Sequence, residues 1–282
     1  MTPLSNSYGG GQGLALLEGL DERGKLVFTA AEALDAGATR SLTARQVYHV
    51  LRRLESAGWI RRIRRGLYAV TGKLPGSIAP HDYAIATALY TPSALSHRTA
   101  LQLHGLSEQV PQVITCTTTA KVVTPAMRTR QPRRRRRASI WQIDGLQIRY
   151  VSVLPARFFG VEEIWVDERT RVPVTDRERT VLDLIAASSR AGVFSEALAV
   201  LEAHHRELDL ARLISYTLRL GVVAVANRLG WALESFGVED DVLAPLLALP
   251  ATGFQALDPQ RERRGTVIRR WKLIDNLAER RD

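Results

Sequence analysis

The 282-residue chain has one cysteine, Cys116, so it can form no internal disulfide. That excludes a disulfide-stapled secreted scaffold, and a reducing cytoplasm is the expected location. No apolar run reaches the roughly 18 residues needed to span a bilayer. Residues Met1 to Gln12 are polar and Gly/Ser-rich, without the charged-then-apolar pattern of a signal peptide. The sequence has no P-loop, no glycine fingerprint for a dinucleotide and no serine in a nucleophile-elbow context. A lone cysteine also excludes a cysteine-based zinc site. No metal, cofactor or catalytic residue is therefore expected, and the chain is not read as an enzyme. Lysine is scarce, at 4 against 35 arginines. Codon bias can produce such a ratio, so the choice of arginine is not by itself a sign of bidentate phosphate contacts.

What is present is ordinary globular material, with 45% apolar and 24% charged residues, which excludes a wholly disordered or collagen-like chain. The length suits two domains or one large one. The formal charge is +10, and it is unevenly placed. Residues 40–70 carry eight arginines and one acid, Glu55, for a net +7. Residues 126–137 carry seven arginines and no acid, again +7, which leaves the rest of the chain at −4. Positive charge confined to two windows of a mildly acidic body is the electrostatic footprint of a polyanion-binding surface.

The first window sits in a readable pattern. Leu14, Leu16, Leu17 and Leu20 mark a short helix, and Lys25 to Phe28 suits a strand. Thr29 and Glu32 form a capping box for a helix that Gly37 is expected to end in a left-handed cap. Thr43 and Gln46 form a second capping box, opening a helix that runs to about Gly58. Two short helices joined by a tight turn are a helix-turn-helix candidate. On the second helix Val47, Val50, Leu51 and Leu54 recur at i, i+3, i+4 and i+7, giving one apolar stripe. Arg45, His49, Arg52 and Ser56 fall opposite, flanked by Gln46 and Arg53. Next, Gly66 separates two strand-like runs, so residues 59–70 are expected as a hairpin with Arg61, Arg62, Arg64 and Arg65 on its first strand and tip. A helix-turn-helix followed by a basic hairpin is the pattern of a winged helix. Its second helix would enter the major groove, with Arg45 and Gln46 best placed for base edges. Its wing would touch backbone or minor groove. The expected DNA-binding set is Thr43, Arg45, Gln46, His49, Arg52, Arg53, Arg61, Arg62, Arg64 and Arg65.

Residues 73–80 read as a linker, giving a DNA-binding domain over 1–75 and a second domain over 76–282, with a possible sub-boundary near 190. Helices are expected at about 81–89 and 94–104, and a strand at 113–119. A hairpin is expected around Asp144-Gly145. The run Arg133, Arg134, Arg135, Arg136 and Arg137 leads into that hairpin. It suits a second nucleic-acid contact, a contact with an acidic partner, or a solvated loop. Thr175 to Glu178 reads as a third capping box. Further helices begin near Ser195 and Asp209 and span about 222–236 and 239–248. Strand-like runs follow at 254–257 and 266–273. His97 and His104, seven apart on one expected helix face, His204 with His205, and the Asp240-Asp241 pair are read as structural. The fold class is α+β: a winged helix-turn-helix, then a mixed α/β domain with a mostly helical C-terminal part.

Three stretches resemble the AbiEi-type antitoxins of type IV toxin–antitoxin (abortive-infection) systems. They are the N-terminal winged helix ending in Arg65-Gly66-Leu67-Tyr68, Leu95-Ser96-His97-Arg98 with Leu103-His104-Gly105-Leu106, and Pro173-Val174 through Arg179-Thr180-Val181-Leu182-Asp183-Leu184. The likeness spans roughly residues 12–190. It implies a phage-defence protein whose winged helix binds inverted repeats in its own promoter as an autorepressor. It also implies a C-terminal part that counters a nucleotidyltransferase-type toxin. Some related chains carry an endonuclease-like C-terminus. Asp258 and Glu262 are the nearest approach to such a site here, and their basic surroundings are unsuited to a divalent cation. The alternatives are a winged-helix regulator with a ligand-sensing C-terminal domain, a nuclease, and a nucleic-acid binder without sequence choice.

Overall fold

A computed structural model describes residues 9–73, 78–128, 140–187 and 193–277. The described residues gather into two compact units. One draws on Met1–Ser93, Ala120–Ile148 and Glu163–Pro173, the other on Ala94–Thr119, Arg149–Glu162 and Val174–Asp282. The fold is α+β, as the residue patterns predict.

The first unit begins with α1 (Gly9–Asp21), β1 (Val27–Thr29), α2 (Ala30–Ala38), α3 (Ala44–Ser56), β2 (Ile60–Arg64) and β3 (Leu67–Val70). The strands form a three-stranded sheet in the order β1-β3-β2, antiparallel throughout. This is a winged helix. Both expected capping boxes form: Thr29 N–H donates to Glu32 Oε2 at 2.7 Å, and Glu32 N–H donates to Thr29 Oγ1 at 3.2 Å. One core serves all six elements. Leu16, Leu20, Phe28, Val47, Leu51 and Ile60 are each about 1% exposed or less. At roughly 25 cal/mol per Å² of apolar area, such burial is what holds so small a module together.

Gly37 corrects one expectation. It does not end α2 in a left-handed cap; the helix continues to Ala38 and is capped by Thr39 in right-handed geometry. Gly37 is buried, and a Cβ there would run into Val47 Cγ2. Glycine is required by the close crossing of the two helices, and the left-handed turn residue is Ser41, at φ 57°.

Downstream come α4 (Asp82–Ala88), β4 (Ser93–Leu95), α5 (His97–Leu103), β5 (Ile114–Thr118), α6 (Pro125–Arg128), β6 (Ile140–Ile143), β7 (Leu146–Ser152), β8 (Val161–Trp165) and β9 (Arg171–Thr175). Strands β4 to β9 form one six-stranded sheet in the order β6-β7-β5-β4-β9-β8. The Asp144-Gly145 turn forms as expected, with φ 47° and 88°. The helix expected over 94–104 is shorter, because Ser93–Leu95 is a fully buried strand pairing in parallel with β9 at Leu95 and Val174. Ser96 N–H then donates to Thr115 O at 2.9 Å. With backbone partners on both sides, sheet pairing wins over helical periodicity.

Helix α7 (Arg177–Ala186) is also capped one residue later than expected. The N-cap is Asp176, whose Oδ1 accepts from Arg179 N–H at 2.7 Å. Thr175 ends β9 with its hydroxyl 2.7 Å from that of Thr180, while Glu178 accepts from Asp209 N–H at 2.9 Å. Four more helices follow: α8 (Val193–His204), α9 (Leu210–Leu220), α10 (Val223–Ser235) and α11 (Asp240–Leu247). With α5 and α7 they enclose the second core, built on Leu101, Val181, Leu182, Leu201, Leu213, Leu229 and Trp271. The expected strand at 266–273 is two antiparallel strands, β11 (Thr266–Ile268) and β12 (Leu273–Asp275), and β10 (Gln255–Ala256) pairs with β12 in parallel. The turn between β11 and β12 includes Lys272, at φ 51°.

Candidate nucleic-acid interface

The candidate interface rests on α3. Its N-cap Thr43 is extended, and its hydroxyl accepts from Gln46 N–H at 3.4 Å. Gln46 Oε1 in turn accepts from Thr43 N–H at 2.8 Å and from the Thr43 hydroxyl at 2.7 Å. The box sets the direction of the helix and hence the phase of every side chain on it. Val47, Val50, Leu51 and Leu54 are turned inward at 0%, 4%, 1% and 3% exposure. Arg45, His49, Arg52 and Arg53 are exposed on the other side. Arg45, His49 and Arg52 have no side-chain hydrogen bond or ion pair to any described residue.

The expected wing is present. Gly66 at φ 76° makes the turn between β2 and β3, a conformation that L side chains rarely adopt. A register irregularity lies between Arg62 and Arg64, so Ile63 has no pairing partner on β3. Phe28 stacks on Tyr68 at 5.8 Å between centroids, anchoring the wing to the core side of the sheet. Arg62, Arg64 and Arg65 are exposed and have no side-chain partner among the described residues. Arg61 differs: it is half-buried and its guanidinium is ion-paired with Asp144 in the β6–β7 turn. The structure thus brings Arg45, His49, Arg52, Arg53, Arg62, Arg64 and Arg65 out to the surface. It commits Thr43 and the carbonyl of Gln46 to the helix cap, and pairs Arg61 with an internal acid. Arg133 to Arg137 lie outside the described residues.

The Arg61–Asp144 pair could not be read from the sequence, where Asp144 carries only a turn signal. Nor could the place of Lys121, which joins Arg64 and Arg65 around one cavity. Of the histidines read as structural, His104 lies just past the end of α5, with Nε2 2.7 Å from Thr175 O and 3.9 Å from a Glu162 carboxylate oxygen. His97 opens that helix at φ 55°, with Nδ1 2.9 Å from the buried Ser96 hydroxyl. Together with Arg98, Arg149 and Glu196 it lines a cavity of about 520 Å³ in the second unit. Among the described residues no group of three His, Cys, Asp or Glu could hold a metal ion, and no helix is long and apolar enough to cross a membrane.

Asp183 is a structural residue. Arg179, 2% exposed, donates to Asp183 Oδ1 at 2.8 Å and to the carbonyl oxygens of Arg157 and Phe159 at 2.8 and 3.2 Å. Its guanidinium also lies 4.3 Å from the centre of the Phe159 ring. These contacts join α7 to the segment around Arg157 and Phe159 that precedes β8.

Compared with known proteins, the chain has the fold of a crystal structure described as the RV2827C protein from Mycobacterium tuberculosis. The TM-score is 0.57 at 16% identity, covering 94% of this chain and 92% of that one. Curated proteins offer no match. A family model described as "Transcriptional regulator, AbiEi antitoxin" matches residues 17–71, the span running from α1 through the wing. Over that span the chain is similar to the transcriptional regulators of the AbiEi antitoxin family, and the resemblance carried by its residues is borne out there.

Proposed function

We propose that the chain is a double-stranded-DNA-binding autorepressor that also serves as the antitoxin to a nucleotidyltransferase-type toxin. In this reading residues 1–75 carry DNA binding and residues 76–282 carry protection from the toxin. The observation that carries it is the division of α3 into a buried Val/Leu side and an opposite side where Arg45, His49 and Arg52 have no side-chain partner among the described residues. A cation already paired within the protein would gain little from a phosphate, whereas these are desolvated only by a ligand. Arg45 would meet base edges, Arg52 and His49 the groove wall, and Arg62, Arg64 and Arg65 the backbone beside it.

The test is a salt titration of full-length protein on a duplex of its own promoter and on a scrambled duplex. Neutralising about six phosphates gives a log–log slope of about −5. Replacing Arg64 and Arg65 together by Ala flattens it by nearly two units, on the order of 0.9 per phosphate lost. Arg45→Ala reduces the preference for the promoter over the scramble; equal loss on both duplexes assigns Arg45 to positioning alone. Co-expression with an adjacent nucleotidyltransferase-like gene tests the second half of the reading: the Arg45→Ala/Arg52→Ala protein loses repression and keeps protection. A second reading, a regulator whose second unit takes a small ligand, is favoured by the 520 Å³ cavity, whose size suits a small molecule. The absence of any toxin gene beside this one would favour it.

A further inference from the structure

The first unit holds a cavity of about 500 Å³ at the tip of the wing. Three of its lining residues are cations: Arg64 and Arg65 from the wing, and Lys121 from the segment between β5 and α6. No acid lines it. All three cations are exposed, and none has a side-chain hydrogen bond or ion pair to a described residue. Tyr90, Val123 and Trp141 of the uncharged lining, by contrast, are tied together. Trp141 Nε1–H donates to the Tyr90 hydroxyl at 3.2 Å, and that hydroxyl donates to Val123 O and accepts from Val123 N–H, each at 3.1 Å. Trp141 is 8% exposed, so its ring is held in place by packing. The cavity therefore has a fixed aromatic and aliphatic lining and three uncommitted positive charges. Like charges gathered around one cavity repel one another, and an anion seated among them relieves that repulsion.

We infer that this cavity receives the sugar-phosphate backbone of bound duplex DNA, with Lys121 a phosphate contact outside the winged helix. The inference rests on the DNA-binding reading above. Charge complementarity selects the occupant: two of the three cations belong to the wing, so a duplex that meets Arg64 and Arg65 brings a backbone phosphate to Lys121 as well. The apolar lining suits the sugar carbons that flank that phosphate. A soluble phosphate or mononucleotide offers the same anion chemistry without the duplex, and the experiment separates the two sources.

Full-length wild type, Lys121→Gln, Lys121→Arg and the Arg64→Ala/Arg65→Ala protein are titrated on the promoter duplex over a range of salt. Lys121→Gln flattens the slope by about 0.9 and weakens binding about eightfold near ~0.1 M salt, as the loss of one released counterion requires. Lys121→Arg restores both. A Lys121→Gln protein with wild-type slope and affinity, beside an Arg64→Ala/Arg65→Ala protein that is flattened, overturns the inference and leaves the winged-helix reading intact. Wild-type slopes in both proteins overturn that reading too. In a parallel arm, inorganic phosphate and adenosine monophosphate are tested for thermal protection of each protein. Protection that Lys121→Gln abolishes, with its duplex binding unchanged, assigns the cavity to a soluble anion and overturns the DNA contact.

Discussion

Gln46 shows how one side chain can be claimed by two roles. Helical phase places it near the start of the exposed face, where a glutamine could read adenine by accepting with its carbonyl and donating with its amide. Its carbonyl oxygen, however, already accepts from the N–H and hydroxyl of Thr43, which leaves only the amide N–H groups for a base. Gln46→Glu keeps the acceptor and adds a negative charge in the first turn, where the helix dipole favours it. The expected outcome is an unchanged or raised melting temperature with weakened duplex binding, whereas Gln46→Ala loses about 1 kcal/mol of stability along with the cap. Equal melting-temperature losses in the two proteins would contradict the capping role. Glu32 makes the equivalent contact in α2. Burial works against its charge, but Thr29 N–H, Lys25 and the Thr29 hydroxyl more than compensate, holding the carboxyl below the usual glutamate range. A carboxyl lowered in the folded state contributes stability above its unfolded pKa of about 4.3 and loses that contribution as pH falls through the folded value. Glu32→Gln therefore flattens the acid limb of stability against pH below about 4, as followed by circular dichroism.

At the scale of elements, the crossing of α2 and α3 depends on the hydrogen side chain of Gly37. Alanine gains about 1 kcal/mol of helix propensity there but drives a methyl into Val47, whose branched side chain has little rotamer freedom, at a cost of about 1–3 kcal/mol. Gly37→Ala is expected to be net destabilising in urea titration, and less so in a Val47→Ala background, which opens the space; additive effects would rule out that contact as the cause. Helix α7 supplies the larger effect. Arg179→Leu leaves Asp183 buried beside no cation and strips two carbonyl oxygens of their donor. A loss of about 3–5 kcal/mol in chemical denaturation follows. These elements also show what the sequence could disclose. The winged helix was legible because caps, amphipathic phase and a glycine turn are local signals, and residues 43–66 contain nearly all of them. Strands β4, β8 and β9 were not legible. Ser93–Leu95 becomes a strand through Val174, nearly eighty residues away, and Val161–Trp165 has an exposed face without alternation. Gly37 was misread for the same reason: a glycine near a helix end carries the same local signal whether it caps the turn or admits a neighbour.

For the whole molecule, the same limit governs the candidate site. The exposed arginines of α3 and the wing were predictable from one stretch of chain. The pairing of Arg61 with Asp144 and the meeting of Lys121 with Arg64 and Arg65 are products of tertiary structure. Whether these distant parts open together is a measurable property, and the chain carries its own reporter of it. Cys116 sits on β5, interior to the six-stranded sheet, with no exposed surface. Burial pushes its thiol pKa up, so the native protein presents neither access nor thiolate to an attacking reagent. As the only cysteine in the chain, it makes any labelling signal unambiguous. Under native conditions an aromatic disulfide reagent should react far more slowly than with free cysteine, and in denaturant it should titrate one thiol per chain. When reclosing outpaces reaction, the labelling rate follows the free energy of opening. Arg179→Leu, which removes a buried clasp beside that sheet's β9, should then accelerate labelling by the factor corresponding to its stability loss, on the order of a hundredfold or more for about 3–5 kcal/mol. Gln46→Ala, acting on the winged helix alone, distinguishes global from local opening. If Cys116 is freed only when the whole chain unfolds, the two variants fall on one line of labelling rate against stability. If the sheet opens independently of the winged helix, Gln46→Ala leaves the rate unchanged while its melting temperature falls.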